Sequence, residues 1–301
     1  MKVLVTGAAG FLGSHLTERL VADGHRVSAM DDLSSGRLAN LSAARAHKGL
    51  QVHRFDITED DLRDVLVHDA PEVVVHLAVR RSADAVRDAR VNVGGTVNLL
   101  QGCVAAGVER VLLASDATAV YAPSMKPISE RAGLGPTTPF GASKVSAESY
   151  LEGFGLQGSV LRLGSVYGPR SRTGVVASFC SALARGKAGT IFGDGSATRD
   201  LLHVEDAVDA FLRCLGGKAD GRRLNIGSGI ATSVRSLHSL LAGLAGAPDA
   251  PAFAPDRPGE VASIALDSGS ARRALGWEPA VRLEDGLAET LASHRGEPTK
   301  R

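Results

Sequence analysis

Apolar positions in this chain fall into two patterns: short unbroken runs, and longer stretches in which they recur every three or four residues. The runs predict strands at Val3-Leu4-Val5, His25 to Met30, Gln51 to Phe55, Glu72 to Ala78, Arg110 to Ser115, Ser159 to Leu163 and Leu224 to Gly227. The helical stretches begin with the spacing of Leu12, Leu16 and Leu20 and continue at Glu59 to Val67, at about 91 to 106 and at about 140 to 152. Glu72 to Ala78 is apolar at nearly every position, as expected of a parallel strand covered on both faces. Strand and helix in alternation predict an α/β chain with a doubly wound parallel sheet.

From Gly164 the rhythm changes. Gly, Pro, Arg and Ser crowd the next ten residues, followed by a helix from Val175 to Arg185, a turn-rich segment at Phe192 to Ser196 and a helical reading of Leu201 to Cys214. A proline-rich patch runs from Pro248 to Pro258, and a further helix is predicted near Ser268 to Leu275. The expected organisation is a Rossmann sheet, residues 1–164 plus 201–228, with a smaller discontinuous α/β substrate cap, residues 165–200 plus 229–301. A ligand is expected at the carboxyl edge of the sheet, between the two parts.

The turn after the first strand gives that edge a chemistry. In Gly7-Ala8-Ala9-Gly10-Phe11-Leu12-Gly13 the first glycine allows a tight turn, the second lets a pyrophosphate approach the backbone, and the third lets helix and strand pack closely. The helix N-terminus then offers unpaired N–H groups and the positive end of its dipole. The second strand leads to Asp31, whose carboxylate suits the hydroxyls of an adenosine ribose and would repel a 2′-phosphate, so NAD is expected ahead of NADP. Asp32-Leu33-Ser34-Ser35-Gly36-Arg37 reads as a loop closing over the adenosine.

Composition narrows the choice of partner. With 34 basic and 33 acidic residues among 301, the formal charge of +1 advertises neither a nucleic-acid surface nor a polybasic membrane patch. No apolar run approaches the ~20 residues of a membrane span, and a first strand starting beside Met1 predicts no signal peptide and a cytoplasmic location. Cys103, Cys180 and Cys214 lack metal-ligand spacing and read as core fillers in a reducing compartment. The nine histidines show no ligand pairing, so no metal site is expected.

Several further motifs lie downstream: His76-Leu77-Ala78, Val91-Asn92-Val93-Gly94-Gly95-Thr96, Val120-Tyr121, Ser143-Lys144, Val166-Tyr167-Gly168-Pro169-Arg170, Gly193-Asp194-Gly195, Arg199-Asp200, His203-Val204, Arg257-Pro258-Gly259-Glu260 and Trp277-Glu278-Pro279. Together with the glycine turn, they make the chain similar to the extended short-chain dehydrogenases/reductases, most of all the nucleotide-sugar epimerases and dehydratases. The resemblance implies NAD as cofactor and a nucleotide sugar as substrate. It also implies a homodimer through the helices near 91 to 106 and 139 to 152. Beyond Asp31 and the glycines it implies cofactor contacts from Phe11, Leu12, Asp32 to Gly36, Asp56, Ile57, Leu77, Ala78, Val79, Arg81, Asn92 and Lys144. Substrate contacts are implied for Arg81, Ser165, Phe192, Arg199 and Arg257.

In that family a Tyr and a Lys stand four residues apart on one helix face, with a Ser or Thr at the end of the preceding strand. The ammonium lowers the tyrosine pKa, and the tyrosinate takes the proton from a sugar hydroxyl. Here Lys144 is present, but Phe140 holds the tyrosine position and Ala117 the Ser or Thr position. Neither side chain can donate, accept or titrate. Three explanations follow: an engineered inactive variant, a diverged enzyme using Thr118, Asp116 or Tyr121, or a non-catalytic binding protein. Ala122 and Ser165, where relatives usually carry Gly and often Asn, fit natural divergence.

The reaction class follows by elimination. Relatives that are 4,6-dehydratases carry an Asp-Glu pair after the catalytic Thr, and the related decarboxylases keep the Glu; this chain has Thr118 and Ala119 there. An epimerase needs no extra acid, so epimerisation at carbon 4 is the expectation, with dehydratase and uronic-acid epimerase or decarboxylase activities as alternatives. Arg80 and Arg81 follow the fourth strand, and facing the sugar they would favour a uronic acid.

Overall fold

The computed structural model describes residues 1–59, 62–124, 126–256 and 263–296. Arg257, one of the expected substrate contacts, lies outside them. Seven strands form one parallel sheet: β1 (Lys2–Thr6), β2 (Arg26–Asp31), β3 (Leu50–Arg54), β4 (Val73–His76), β5 (Arg110–Asp116), β6 (Gly158–Leu163) and a later strand, Arg222–Ile226. Their spatial order is β3-β2-β1-β4-β5-β6 followed by that last strand. Register is set at the centre by Val3, which lies opposite both Val27 and Val73. The order reverses between β1 and β4, which opens a crevice at their carboxyl ends.

The strand period of two assigns each apolar residue to a face. Val3, Val5, Val73, Val75 and Leu112 meet Leu16 and Leu20 of helix α1 (Phe11–Ala22) on one side. Leu4, Val74, Val111 and Leu113 meet α2 (Leu62–Asp69) on the other, through Leu62 and Leu66. The second face is completed by α4 (Thr96–Ala106) and α6 (Pro139–Gly153), where Thr138 caps the Gly141 N–H and Pro139 occupies the first turn. Between α2 and α4 lies the short helix α3 (Ala85–Ala89), and α5 (Ala117–Val120) follows β5. Cys103, Cys180 and Cys214 are buried, and burial pushes each thiol up to about 12, so they act as apolar fillers.

Three differences from the sequence reading have physical causes. Leu201 to His203 is not helical: it belongs to β9 (Thr198–His203), which pairs with β7 (Ser165–Tyr167) and β11 (Ala231–Ser233), and helix α8 starts only at Val204 and ends at Cys214. Leu201, Leu202 and His203 are buried in succession, and a strand covered on both faces shows no alternation. The helix expected from about 91 is π-helical over Arg90–Gly95 and becomes α4 only at Thr96. Two long helices were not foreseen: α9 (Val234–Ala245), capped by Ser233, and α11 (Leu283–Arg295). They pack with α7 (Gly174–Leu183) through Leu237, Leu241, Leu287, Leu291, Phe179 and Leu183. The strand pair β8 (Thr190–Phe192) and β12 (Ala252–Ala254), with β10 (Arg222–Ile226) in the main sheet and α10 (Gly269–Leu275), completes the chain.

Candidate active site

The crevice at the switch point is shaped by missing side chains. A Cβ on Gly7, whose φ is +66°, would lie 2.8 Å from the Ala78 amide, and one on Gly13 would lie 2.1 Å from the Gly7 carbonyl oxygen. The turn therefore packs backbone on backbone, leaving the α1 N-terminus open toward the cleft. At the end of β2, Asp31 Oδ2 accepts from the Ala9 N–H (2.9 Å) and Oδ1 from the Leu33 N–H (2.8 Å). Burial raises this carboxyl, and the backbone bonds work against that rise. A cradle that a Cβ would fill, next to a carboxylate anchored by two amides, fits the adenosine and pyrophosphate of a dinucleotide.

The expected cofactor residues divide by placement. Gly7, Gly10, Phe11, Leu12, Gly13, Asp31, Asp32, Ser34, Ser35, Asp56, Ile57, Leu77, Ala78, Val79 and Lys144 line the cleft. Leu33, Gly36, Arg81 and Asn92 do not. Leu33 turns the chain with φ +63°, and Gly36 lies so close to Asp31 that a Cβ would come within 2.6 Å of its Oδ1. Asn92 is buried and clamps the loop after β4, accepting from the Arg80 N–H and donating to the Arg80 carbonyl, both at 2.8 Å. Its amide also donates to Ser143 Oγ at 3.0 Å, tying the loop to α6. The π-helical turn is where Asn92 sits, and Thr96 Oγ1 donates to the Asn92 carbonyl at 2.7 Å.

At the far end of the cleft, Lys144 is buried and donates from Nζ to the Ala114 carbonyl at 2.6 Å. Burial pulls its ammonium down to about 8, with Asp116 and Glu148 opposing the fall. Phe140 lines the same wall one turn earlier, and the Arg81 guanidinium lies 4.8 Å from its ring centroid. Asp116 lines the cleft too, caps α5 and holds Thr118, accepting from its N–H at 2.9 Å and its hydroxyl at 2.6 Å. Ala117 points elsewhere: it is fully buried among Val120, Tyr121, Ile128, Ile264 and Leu266, away from the cleft lining. Tyr121 is likewise enclosed; its hydroxyl donates to Asn225 Oδ1 (3.0 Å) and accepts from Arg162 (2.7 Å), which removes it as a proton donor to a cleft ligand.

A family model described as the NAD dependent epimerase/dehydratase family matches residues 3–227. The chain belongs to that family. Membership assigns NAD as the cofactor for which the glycine cradle and Asp31 are shaped. Over 98% of its length the chain is 45% identical to a UDP-glucose 4-epimerase of Mycolicibacterium smegmatis, covering 99% of that protein. Among solved structures it is similar to a Thermotoga maritima UDP-glucose 4-epimerase with UDP-glucose, at TM-score 0.93 and 36% identity, covering 98% of this chain and 99% of that one. A Thermus thermophilus UDP-glucose 4-epimerase in complex with NAD matches at TM-score 0.90 and 33% identity, covering 98% and 99%.

Two buried networks that sequence reasoning missed hold this epimerase-family site from behind. Arg162 and Glu148, both 2% exposed, pair through Nε (3.1 Å) and Nη2 (2.6 Å), and Ser115 Oγ donates to Glu148 at 2.5 Å. Glu148 lies one turn beyond Lys144 on α6, so β5, β6 and the lysine-bearing helix share one ion pair. Behind the glycine turn, Thr6 Oγ1 accepts from the amides of Leu77 (3.2 Å) and Ala78 (3.1 Å) and meets His76 Nδ1 at 2.7 Å. The other ring nitrogen of His76 meets Thr96 Oγ1 at 2.9 Å. Burial holds His76 neutral, down to about 3, and because the Thr96 hydroxyl proton is spent on the Asn92 carbonyl, Nε2 donates to Thr96 Oγ1 and Nδ1 accepts from Thr6 Oγ1.

The expected substrate residues beyond β6 stand outside the lining, to which Thr173 is the contribution from that part among the described residues. Ser165 opens β7, Phe192 ends β8, and Arg199 donates to the Thr198 carbonyl at 2.8 Å. Asp200 beside Arg199 has a tying role: it accepts from the backbone of Ser228 (2.6 Å), Gly229 (3.0 Å) and Leu266 (2.9 Å). Among the described residues no helix is long and apolar enough to cross a membrane, and no group of His, Cys, Asp or Glu is arranged to hold a metal ion.

Proposed function

We propose that the chain is an NDP-sugar 4-epimerase by lineage that keeps its binding apparatus and has an impaired proton relay. The observation carrying this reading is the far end of the cleft, where Lys144 is in place and the neighbouring wall position is Phe140. NAD, when bound, supplies a hydride acceptor that later returns the hydride to the sugar. The chain's own task is to remove and return a hydroxyl proton, and no atom of Phe140 on the cleft wall, or of Ala117 buried away from that lining, can hold one. Losing a positioned base costs ~10²–10⁴ in rate. Epimerisation is favoured over dehydration because Thr118 and Ala119 supply no acid pair and the Thr118 hydroxyl is committed to Asp116.

A second reading has one specific observation behind it. Asp116 lines the far end of the cleft and is the carboxylate placed to accept a proton there. Product analysis by NMR on UDP-, dTDP-, GDP- and CDP-sugars, for this chain and for Ala117→Thr plus Phe140→Tyr, separates the readings. A 4-epimer formed only, or ~10²-fold faster, by the double variant supports the impaired relay. Equal turnover by both, abolished by Asp116→Asn, assigns the proton to Asp116. Binding of NAD and sugar nucleotide with no turnover by either makes the chain a binding protein. We also place a homodimer on α4 and α6, whose outer faces expose Val104 and Tyr150; sedimentation at a single-protomer mass overturns that assembly.

A further inference from the structure

We propose that the far end of the cleft selects a nucleotide sugar bearing a carboxylate, and that Arg81, resting on the ring of Phe140, is the residue that selects it. This deepens the proposed function and rests on it, since it names the class of sugar for that same site.

The argument begins with the loop after β4. Asn92 fixes both backbone groups of Arg80 and joins them to Ser143 on α6, so the residue that follows has a defined starting point. The two arginines then part. Arg80 lines the cleft but its Nε is directed at the buried Asp88, 4.0 Å away, while Arg81 stands outside the lining, at the rim, over the ring of Phe140. An aromatic face attracts a guanidinium by its quadrupole and takes none of its N–H donors. Asp116 Oδ2 is 3.9 Å from Nη1, a Coulombic neighbour beyond hydrogen-bond range. The Arg81 side chain is 68% exposed. Its planar fork is thus oriented, charged and open to a ligand, which is the arrangement that receives a carboxylate through two parallel bonds.

Charge along the cleft points the same way. Among the described residues Asp31, Asp32 and Asp56 line the adenosine end, whereas Asp116 is met by Lys144 and Arg80 in the cleft lining and by Arg81, which stands at the rim on Phe140 and 3.9 Å from Asp116. A neutral hexose leaves that excess unanswered; a hexuronate answers it and supplies the acceptor pair that the guanidinium lacks. The position of the cation beside the wall carrying Phe140 and Lys144, and not at the glycine cradle, separates it from the cofactor's pyrophosphate and places it with the sugar nucleotide.

The test is calorimetric titration, with NAD present, of UDP, UDP-glucose and UDP-glucuronic acid into the chain and into Arg81→Gln and Arg81→Lys, with thermal melts confirming that the variants fold. The expected result is UDP-glucuronic acid binding about 10-fold tighter than UDP-glucose. That ratio should fall to near one in Arg81→Gln and be partly kept in Arg81→Lys, with the affinities for UDP and NAD unchanged. Equal affinity for the two sugars in the unaltered chain overturns the selectivity and leaves the proposed function standing. Equal weakening of UDP and both sugars by Arg81→Gln, or a loss of NAD affinity, assigns Arg81 to phosphate and also overturns it. Absence of binding by either sugar overturns this inference and the proposed function together.

Discussion

The two ends of the cleft share one sheet edge but store their function differently. The adenosine end is encoded in backbone: Gly7 and Gly13 work by having no side chain, and Asp31 is anchored by the amides of Ala9 and Leu33. The far end is encoded in single polar atoms, and on the proposed reading two of them are missing, at Phe140 on the cleft wall and at Ala117 buried away from it, while the wall itself is intact. Lys144 still reaches Ala114, Asn92 still clamps the β4 loop, and Glu148 and Arg162 still pair beneath α6. On that reading a proton-transfer group is lost while the scaffold that positioned it persists, because that scaffold also holds the sheet together.

The ion pair under α6 gives the largest test of that statement. Glu148→Gln leaves the Arg162 guanidinium buried without its counter-charge and should destabilise the chain by about 3–5 kcal/mol. Combining it with Arg162→Met should restore most of the loss. Denaturant unfolding of the single and double variants measures both. If the single variant falls by less than about 1 kcal/mol, the pair is peripheral and the far end owes its shape to something else.

At the adenosine end the equivalent change is Gly13→Ala. Its new Cβ would stand 2.1 Å from the Gly7 oxygen, so the turn must shift, at a cost typical of overpacking, about 1–3 kcal/mol. Expressed in cofactor binding this is about a 10- to 100-fold weaker NAD affinity, read from fluorescence titration. The same titration on Phe140→Tyr should show little change. A Gly13→Ala chain that binds NAD as tightly as the parent would mean that the cradle does not depend on close backbone approach.

Sequence carried the adenosine end well because absence of a side chain at fixed spacing is itself a local signal. The seven-strand sheet was legible for a similar reason, as unbroken apolar runs such as Val73 to Val75 mark covered parallel strands. Leu201 to His203 shows the limit: three buried residues in a row carry no period, and only their pairing with β7 and β11 reveals a strand. The wall behind the far end was illegible for another reason. Glu148, Arg162, Tyr121 and Asn225 are far apart in the chain, and no spacing announces that they form one hydrogen-bonded group. Asn92 and Ala117 were found through family resemblance, but that could not show that one clamps Arg80 and the other faces an apolar cluster. The Arg81 contact with Phe140 required the loop geometry that Asn92 imposes.

The charge left at the far end gives a further test. Burial lowers the Lys144 ammonium from 10.5 to about 8 in the folded chain, while the unfolded chain keeps the ordinary value. Between those pH values the unfolded state binds the extra proton, so this residue makes stability rise with pH by up to ~1.4 kcal/mol per unit. Below pH 8 both states are protonated and the full desolvation cost of the ammonium remains. Lys144→Met removes the titration. Its stability advantage over the parent should therefore be greatest near pH 7 and shrink as the pH approaches 10, which melting both chains across that range measures. A difference that stays constant with pH would mean that Lys144 is solvated in the folded state, and that the far end of the cleft is wetter than the adenosine end to which it is compared.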